Sequence, residues 1–132
     1  MQKVGNEHPI YFDVDNTLIM HVPPGQLVSE RLQDSLYTID IPGTDIVIRY
    51  HPNFDNIKLL KRSKAKHHTV IVWSHGGVDW AEHVIKALGL EKYVDYVMHK
   101  VEKYVDDVPI EQWQFINLYL HDGFGKSVRK TK

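Results

Sequence analysis

Cysteine is missing from the 132 residues of this sequence, and its absence excludes disulfide bonds and thiolate metal sites. Long apolar runs are missing as well, since none approaches the ~20 residues that a membrane-spanning helix needs. The first residues, "MQKVGNEHPIYF", lack the apolar core of a signal peptide. We therefore expect a cytoplasmic protein that has no membrane partner.

A surplus of charge of either sign is also absent, because the formal net charge is -1. A nucleic-acid partner is compatible with the sequence but is not indicated by this charge. Hydrophobic residues make up 42% and charged residues 25% of the chain, which is the usual balance of a globular protein. We predict a single domain over residues 1–132, and the sequence does not indicate an oligomeric state.

The apolar pattern predicts strands that alternate with helices. Buried strands are predicted in "PIYFDV" (residues 9–14) and "TVIVW" (residues 69–73), and shorter ones in "YVDYVM" and "KYV". A helix is expected after its cap Asn53, and a second helix between Gly77 and Gly89. "PIEQWQF" indicates a helical turn, and "INLYL" a last strand. We therefore predict an α/β fold: a three-layer Rossmann-like domain with a mainly parallel sheet.

The segment "YTIDIPGTDIVIRY", residues 37–50, alternates apolar and polar residues on both sides of Pro42-Gly43. This period-two pattern around a turn dipeptide predicts a β-hairpin. The residues at about 20–50 are accordingly assigned to a small hairpin flap inserted into the domain.

Polar residues follow each predicted strand of the sheet. They are Asp13 and Asp15 after the first strand, Ser74 after the second, Lys100 after the third, and Asp106 and Asp107 after the fourth. Ligands of open α/β sheets bind at the carboxyl ends of the strands. The sequence therefore predicts one site to which four strand ends contribute.

Asp13 and Asp15 point to the same side if the strand continues through them, and such carboxylates repel each other unless a cation joins them. Mg²⁺ prefers oxygen ligands and typically takes one or two carboxylates together with a substrate phosphate. We expect Mg²⁺ as the cofactor, bound by Asp13 and Asp15, with Asp106 or Asp107 supplying a further oxygen. Asp106 is the better candidate of that pair because it ends its predicted strand.

This set of donors predicts phosphoryl transfer through an aspartyl-phosphate. Asp13 would attack phosphorus, and Asp15 would protonate the leaving oxygen and then take a proton from the hydrolytic water. Lys100 would place positive charge beside the transferred phosphate. Thr17 would hold the turn that follows the first strand.

The turn before the second helix is a predicted phosphate-binding site. The Ser74 hydroxyl and the backbone N–H groups of His75 and Gly76 would bind the phosphate together with Lys100. The structural alternative is that these residues only cap the helix. Both roles use the same groups and are compatible.

These motifs resemble those of the haloacid dehalogenase-like phosphatase superfamily. Its aspartate motif is matched by "YFDVDNTL", its strand ending in Ser by "VIVWS", and its acidic pair by "KYVDD", with a lysine before that pair. The resemblance runs from about residue 9 to residue 107. It implies a Rossmann-like sheet, Mg²⁺, Asp13 as nucleophile and Asp15 as acid/base. It also implies that the main-chain carbonyl of Asp15 is a metal ligand.

The chain departs from many members of that superfamily in the spacing of its lysine. Only five residues separate Lys100 from Asp106, where many members place a helix. Lys103 is the alternative for the lysine role, but it would enter the strand that carries Asp106 and lie near the wrong edge, so Lys100 is preferred. The flap is too small to be the cap domain of many members. We therefore expect an open site and a phosphorylated substrate that can be macromolecular.

Two other functions are compatible with these residues. A phosphotransferase would form the same intermediate and pass the phosphoryl group to an acceptor other than water. A non-catalytic phosphate-binding or interaction module would retain only the fold, although such a module has no need of an acid/base at Asp15. Among purely structural explanations, turn preference accounts for the aspartate motif, and a solvated surface lysine accounts for Lys100.

Overall fold

The computed structural model describes residues 8–22, 37–41, 43–113, 120–121 and 127–128. Its strands and helices are β1 (Ile10–Asp13), β2 (Ile19–His21), β3 (Tyr37–Asp40), β4 (Val47–Pro52), α1 (Phe54–Ala65), β5 (Val70–Ser74), α2 (Val78–Ala87), β6 (Tyr96–His99), β7 (Leu120–His121) and β8 (Ser127–Val128). Short 3-10 helices cover Glu91–Tyr93 and Ile110–Gln112. The second of these is the helical turn predicted in "PIEQWQF".

The sheet that carries the candidate site is parallel and has the strand order β1–β5–β6. Asp13 is in register with Trp73, and Ser74 with His99. The three strands therefore end at the same edge of the sheet. The α/β class is confirmed, and so are these three strands of the prediction.

The fourth predicted strand, "KYV", is wrong. Residues 101–106 have no regular structure, all of residues 101–107 are exposed, and Val105 is fully exposed. A three-residue strand is stable only when it pairs with a neighbouring strand and buries one of its faces. Among the described residues, this segment has neither a strand partner nor a buried face. Asp106 and Asp107 consequently do not end a strand of the parallel sheet.

The hydrophobic core lies between one face of this sheet and the helices. Phe12, Val70 and Val72 share that face by strand alternation and belong to one buried cluster. The helical members of the cluster are Ile57 and Leu60 of α1 and Ala81, Val84 and Ile85 of α2. Ile71, on the opposite face, is buried outside this cluster. The described residues thus establish a mixed α/β fold, and the three-layer arrangement stays a prediction.

The helix termini follow the capping residues read from the sequence. The Asn53 side chain accepts a hydrogen bond from the backbone N–H of Asn56 and so caps α1 as predicted. Gly89 follows the end of α2 with a φ of 67°, a left-handed conformation that glycine adopts without steric cost.

The predicted hairpin is confirmed and is part of a larger antiparallel sheet. β3 and β4 pair from Tyr37–Tyr50 to Asp40–Val47, and β2 pairs with the other side of β4. This sheet, in the order β2–β4–β3, is called the flap sheet below. The β2 strand connects it directly to the loop that follows β1.

The C-terminal part of the chain adds a small element. Most of the predicted strand "INLYL" lies outside the described residues, but Leu120 belongs to β7, which pairs antiparallel with β8. None of the described helices is long and apolar enough to cross a membrane.

Asp95, just before β6, ties α1 to the parallel sheet. One carboxylate oxygen accepts a hydrogen bond from the Lys64 ammonium, and the other accepts one from the backbone N–H of Val70 at 2.8 Å. Burial raises the pKa of Asp95, but the two hydrogen bonds and the charge of Lys64 outweigh it and lower the pKa below its usual value. The ionised form is therefore bound more favourably in the folded chain than in the unfolded chain.

Asp95→Asn should lower the free energy of unfolding by about 1 kcal/mol at pH 7, because a partly exposed charge-assisted hydrogen bond is lost. Since the folded pKa is depressed, the stabilisation is present above the unfolded value of 3.8 and is lost as the pH falls below it. Urea unfolding at pH 7 and pH 3 should show the difference from wild type shrinking at the lower pH. Asp45→Asn, in the exposed β3–β4 turn, is the control. An equal loss at both pH values would contradict this account.

Candidate functional site

Three strand ends bring Asp13, Ser74 and Lys100 together. The Lys100 Nζ lies 3.6 Å from Asp13 Oδ1, and both side chains are about one-third exposed. The backbone N–H of Lys100 donates to the carbonyl of Ser74 at 2.9 Å, which fixes the chain where it leaves β6. A partly exposed ion pair contributes little to folding stability. It does concentrate a cation and an anion at the edge where such sheets bind ligands.

The loop after β1 turns tightly around one carbonyl group. The carbonyl oxygen of the buried Val14 accepts hydrogen bonds from the backbone N–H groups of Thr17, Leu18 and Ile19 at 3.2, 2.9 and 3.2 Å. Asn16 adopts a φ of 58°, a left-handed conformation that asparagine tolerates better than most residues. This turn separates Asp15 from the strand and leaves its carboxylate beside the flap sheet.

Thr17 links this loop to Asp13 and to α1. Its hydroxyl donates to Asp13 Oδ2 at 3.3 Å, which supports the holding role predicted for it. Its carbonyl accepts a hydrogen bond of 2.8 Å from the buried Asn56 side chain. The backbone N–H of Asn53 also donates to the carbonyl of Leu18. The first turn of α1 thus fixes the aspartate loop.

The Asp15 carboxylate is bound from two sides. His21 Nε2, on β2, is joined to Asp15 Oδ1 by a hydrogen bond of 2.7 Å. The indole N–H of Trp80, on α2, lies 3.2 and 3.3 Å from the two carboxylate oxygens. Sequence patterns gave no sign of the Trp80 contact, because a tryptophan on an amphipathic helix is most simply a core residue.

The turn between β5 and α2 is built from Ser74, Gly76 and Gly77. The fully buried Ser74 hydroxyl accepts the backbone N–H of Gly76 at 2.9 Å. A Cβ at Gly76 would lie 2.8 Å from the Trp80 ring, and Gly77 has a φ of 97°, so both positions require glycine. Two of the predicted phosphate donors are the N–H groups of His75 and Gly76. The N–H of Gly76 donates to the Ser74 hydroxyl, and His75 is exposed at the surface.

A group of exposed polar side chains borders this edge of the sheet. The rings of His75 and His99 are 6.4 Å apart in an edge-to-face arrangement. His99 Nε2 lies 3.6 Å from a carboxylate oxygen of Glu102. His99 also approaches the main chain of Lys100, since its Nδ1 lies 2.7 Å from the Lys100 carbonyl oxygen.

Asp106 and Asp107 lie in a locally folded loop. Asp106 Oδ1 accepts the backbone N–H of Val108 at 2.9 Å, which is a turn contact, and both acidic residues are exposed. Lys103, the alternative lysine, is exposed and forms no ion pair in the described part of the chain. The structure therefore places Lys100, rather than Lys103, at Asp13.

Some of the oxygen donors that a Mg²⁺ site needs are present at this edge of the sheet. Asp13 and the loop at Asp15 offer the oxygen donors that Mg²⁺ prefers, and Mg²⁺ typically needs only one or two carboxylates beside water and phosphate. Within the described ranges, however, no three His, Asp or Glu side chains are grouped so that they could hold a metal ion. The predicted contribution of Asp106 or Asp107 is thus not part of the observed arrangement.

Comparisons with protein-family models, curated proteins and solved structures found no match for this chain. Residue chemistry and geometry are therefore the basis of any functional assignment.

Asn56→Asp should lower the free energy of unfolding by about 2 kcal/mol or more. The substitution keeps the shape of the side chain but replaces the N–H donor with a charge beside the buried carbonyl of Thr17. Urea unfolding measures the loss, and Lys58→Gln, on the exposed side of the same helix, should stay within about 0.5 kcal/mol of wild type. Equal stability of the two variants would show that this link does not hold the loop.

Proposed function

We propose that this protein is a Mg²⁺-dependent phosphatase that hydrolyses a phosphate monoester through an aspartyl-phosphate on Asp13. The observation that carries the proposal is the 3.6 Å approach of the Lys100 ammonium to Asp13, at the edge where three parallel strands end. A carboxylate and an ammonium at this place suit attack on a dianionic group, since the cation offsets the repulsion between nucleophile and phosphate.

In the first step an oxygen of Asp13 attacks phosphorus, a new P–O bond forms, and the bond to the leaving oxygen breaks. The Thr17 hydroxyl and Lys100 hold the two oxygens of the attacking carboxylate. Asp15 donates a proton to the leaving oxygen. In the second step water attacks phosphorus, Asp15 takes a proton from it, and Asp13 is released as a carboxylate.

The surroundings of Asp15 support its role as the acid/base. His21 and Trp80 fix its carboxylate, so that the side chain is held in one orientation before substrate arrives. A module that only binds phosphate has no need for a second carboxylate fixed in this way. A phosphotransferase would use the same first step, and its acceptor would replace water in the second.

Mg²⁺, when bound, would neutralise charge on the phosphoryl oxygens. We propose the Asp13 carboxylate and the main-chain carbonyl of Asp15 as its protein ligands, with water and the substrate phosphate completing the coordination. The proposed domain is a compact Rossmann-like member of the haloacid dehalogenase-like superfamily and acts in the cytoplasm. An open site that accepts a large phosphorylated substrate is part of this proposal, and the short strands of the flap sheet support it.

Asp13→Asn should reduce Mg²⁺-dependent hydrolysis of p-nitrophenyl phosphate by about 10³-fold or more, because the nucleophile is lost. Phosphate release measures the rate of hydrolysis. Analysis of the products formed in the presence of added alcohols distinguishes hydrolysis from transfer of the phosphoryl group to another acceptor. Asp45→Asn, which removes an exposed carboxylate from the β3–β4 turn, should leave the rate unchanged. Activity that survives Asp13→Asn would refute the assignment of the nucleophile.

Lys100→Met should lower kcat/KM by about 10²-fold, which is the typical effect of removing one electrostatic contact to the transition state. Lys103→Met is the matched control, because it removes the same charge three residues further along the chain. Lys103 is exposed, whereas the ion pair to Asp13 is formed by Lys100. Steady-state rates of the two variants give the comparison. A larger loss in Lys103→Met would reverse the roles of the two lysines.

A further inference from the structure

An aromatic surface adjoins the candidate site on the second face of the parallel sheet. Tyr11 and Trp73 lie on that face, and their ring centroids are 4.6 Å apart. The strand β1 was predicted to be buried, yet Tyr11 is 45% exposed and Trp73 is partly exposed. We call this pair of rings the aromatic platform. Tyrosine and tryptophan are enriched at binding interfaces, because each combines a large apolar ring with a polar group.

The platform is continuous with the proposed phosphate site. Trp73 is the register partner of Asp13 on the neighbouring strand, and both side chains point to the same face. The Lys100 ammonium, 3.6 Å from Asp13, also lies 5.9 Å from the centre of the Trp73 ring. A phosphate bound by Lys100 would therefore have an aromatic ring beside it.

The spacing of the platform favours one class of leaving group. Tyr11 precedes Asp13 by two residues, which is about 6.6 Å along a parallel strand. A ring attached directly to the phosphate would reach only the near end of the platform. A ring separated from the phosphate by a sugar would lie over the platform as a whole. Aromatic side chains beside a cation are also the general means by which proteins stack nucleobases.

We infer that Tyr11 and Trp73 form a subsite for the nucleobase of a nucleoside phosphate whose phosphate group is bound at Lys100 and Asp13. The inference rests on the proposed function for the position of the phosphate. It makes the two aromatic residues determinants of substrate specificity, and it assigns them no part in the chemical steps. The two sources of such a group are a free nucleotide and the phosphorylated end of an oligonucleotide.

Binding to the Asp13→Asn protein tests this subsite without turnover. Titration calorimetry would compare AMP with ribose 5-phosphate, which carries the same phosphate ester but has no base. We expect AMP to bind about tenfold more tightly, the lower part of the range for stacking of one base on aromatic side chains. Trp73→Leu in the same background should abolish the difference and leave the affinity for ribose 5-phosphate unchanged.

Control variants separate the loss of base binding from general effects on folding and on the phosphate site. Tyr11→Leu should reduce the preference for AMP in part. Tyr37→Leu should not change it, since Tyr37 is a tyrosine of matching exposure, 46%, on β3 at the far side of the flap sheet. Equal binding of AMP and ribose 5-phosphate, or a preference that persists in both Trp73→Leu and Tyr11→Leu, would overturn the inference. Tighter binding of phosphotyrosine than of AMP would also overturn it.

A 5′-phosphorylated oligonucleotide distinguishes the two sources once the preference for AMP is established. Tighter binding of the oligonucleotide than of AMP assigns the subsite to nucleic-acid ends, and weaker binding assigns it to free nucleotides. The proposed hydrolase activity is measured separately with p-nitrophenyl phosphate. A lack of hydrolysis would overturn the proposed function while the measured preference for AMP still shows a base-binding surface.

Discussion

The contact between Lys100 and Asp13 depends on the register of three parallel strands. β5 stands between β1 and β6, so neither charged residue comes from a strand adjacent to the other. Their approach to 3.6 Å requires β1 and β6 to end at matching heights against β5. A shift of one residue in either ladder would turn the side chains of that strand to the opposite face. The buried valines Val70 and Val72 of β5 oppose such a shift, because it would break up their packing in the core.

The aspartates of the site are positioned by hydrogen bonds from uncharged groups as well as by the charge of Lys100. Thr17 and Asn56 connect the aspartate loop to α1, and Trp80 connects it to α2. The hydrogen bond from Asn56 is buried and satisfies the carbonyl of Thr17, so it contributes both to stability and to the position of the loop. Gly76 is part of the same arrangement, since the Trp80 ring occupies the space that a side chain there would fill.

Local sequence patterns correctly predicted the strands and helix caps whose formation depends mainly on residues close together in the chain. The β-branched run of β5, the alternation in β3 and β4, and the Asn53 cap were identified correctly because each depends on neighbouring residues. The end positions of β1, β5 and β6 then placed Asp13, Ser74 and Lys100 at one edge. The fourth strand failed because three residues of suitable propensity do not form a strand without a partner and a buried face.

The contacts that sequence reasoning missed are between residues far apart in the chain. The bond of Asn56 to Thr17 spans 39 positions, and that of Trp80 to Asp15 spans 65. No periodic pattern encodes such a pair, since an asparagine in the first helical turn and a tryptophan on an amphipathic face are ordinary in those places. The exposure of Tyr11 is of the same kind, because a strand rich in apolar residues gives no sign of which face is left uncovered.

The carboxylate of Asp15 is hydrogen-bonded both to the flap sheet and to the helix that follows β5. One of its partners, His21, belongs to the flap sheet, and the other, Trp80, belongs to the helix that follows β5. A displacement of the flap sheet by even the length of a hydrogen bond would therefore change the direction of this carboxylate. Pressure from a bulky ligand on the flap would reach the carboxylate mechanically, without any contact between that ligand and the acid itself.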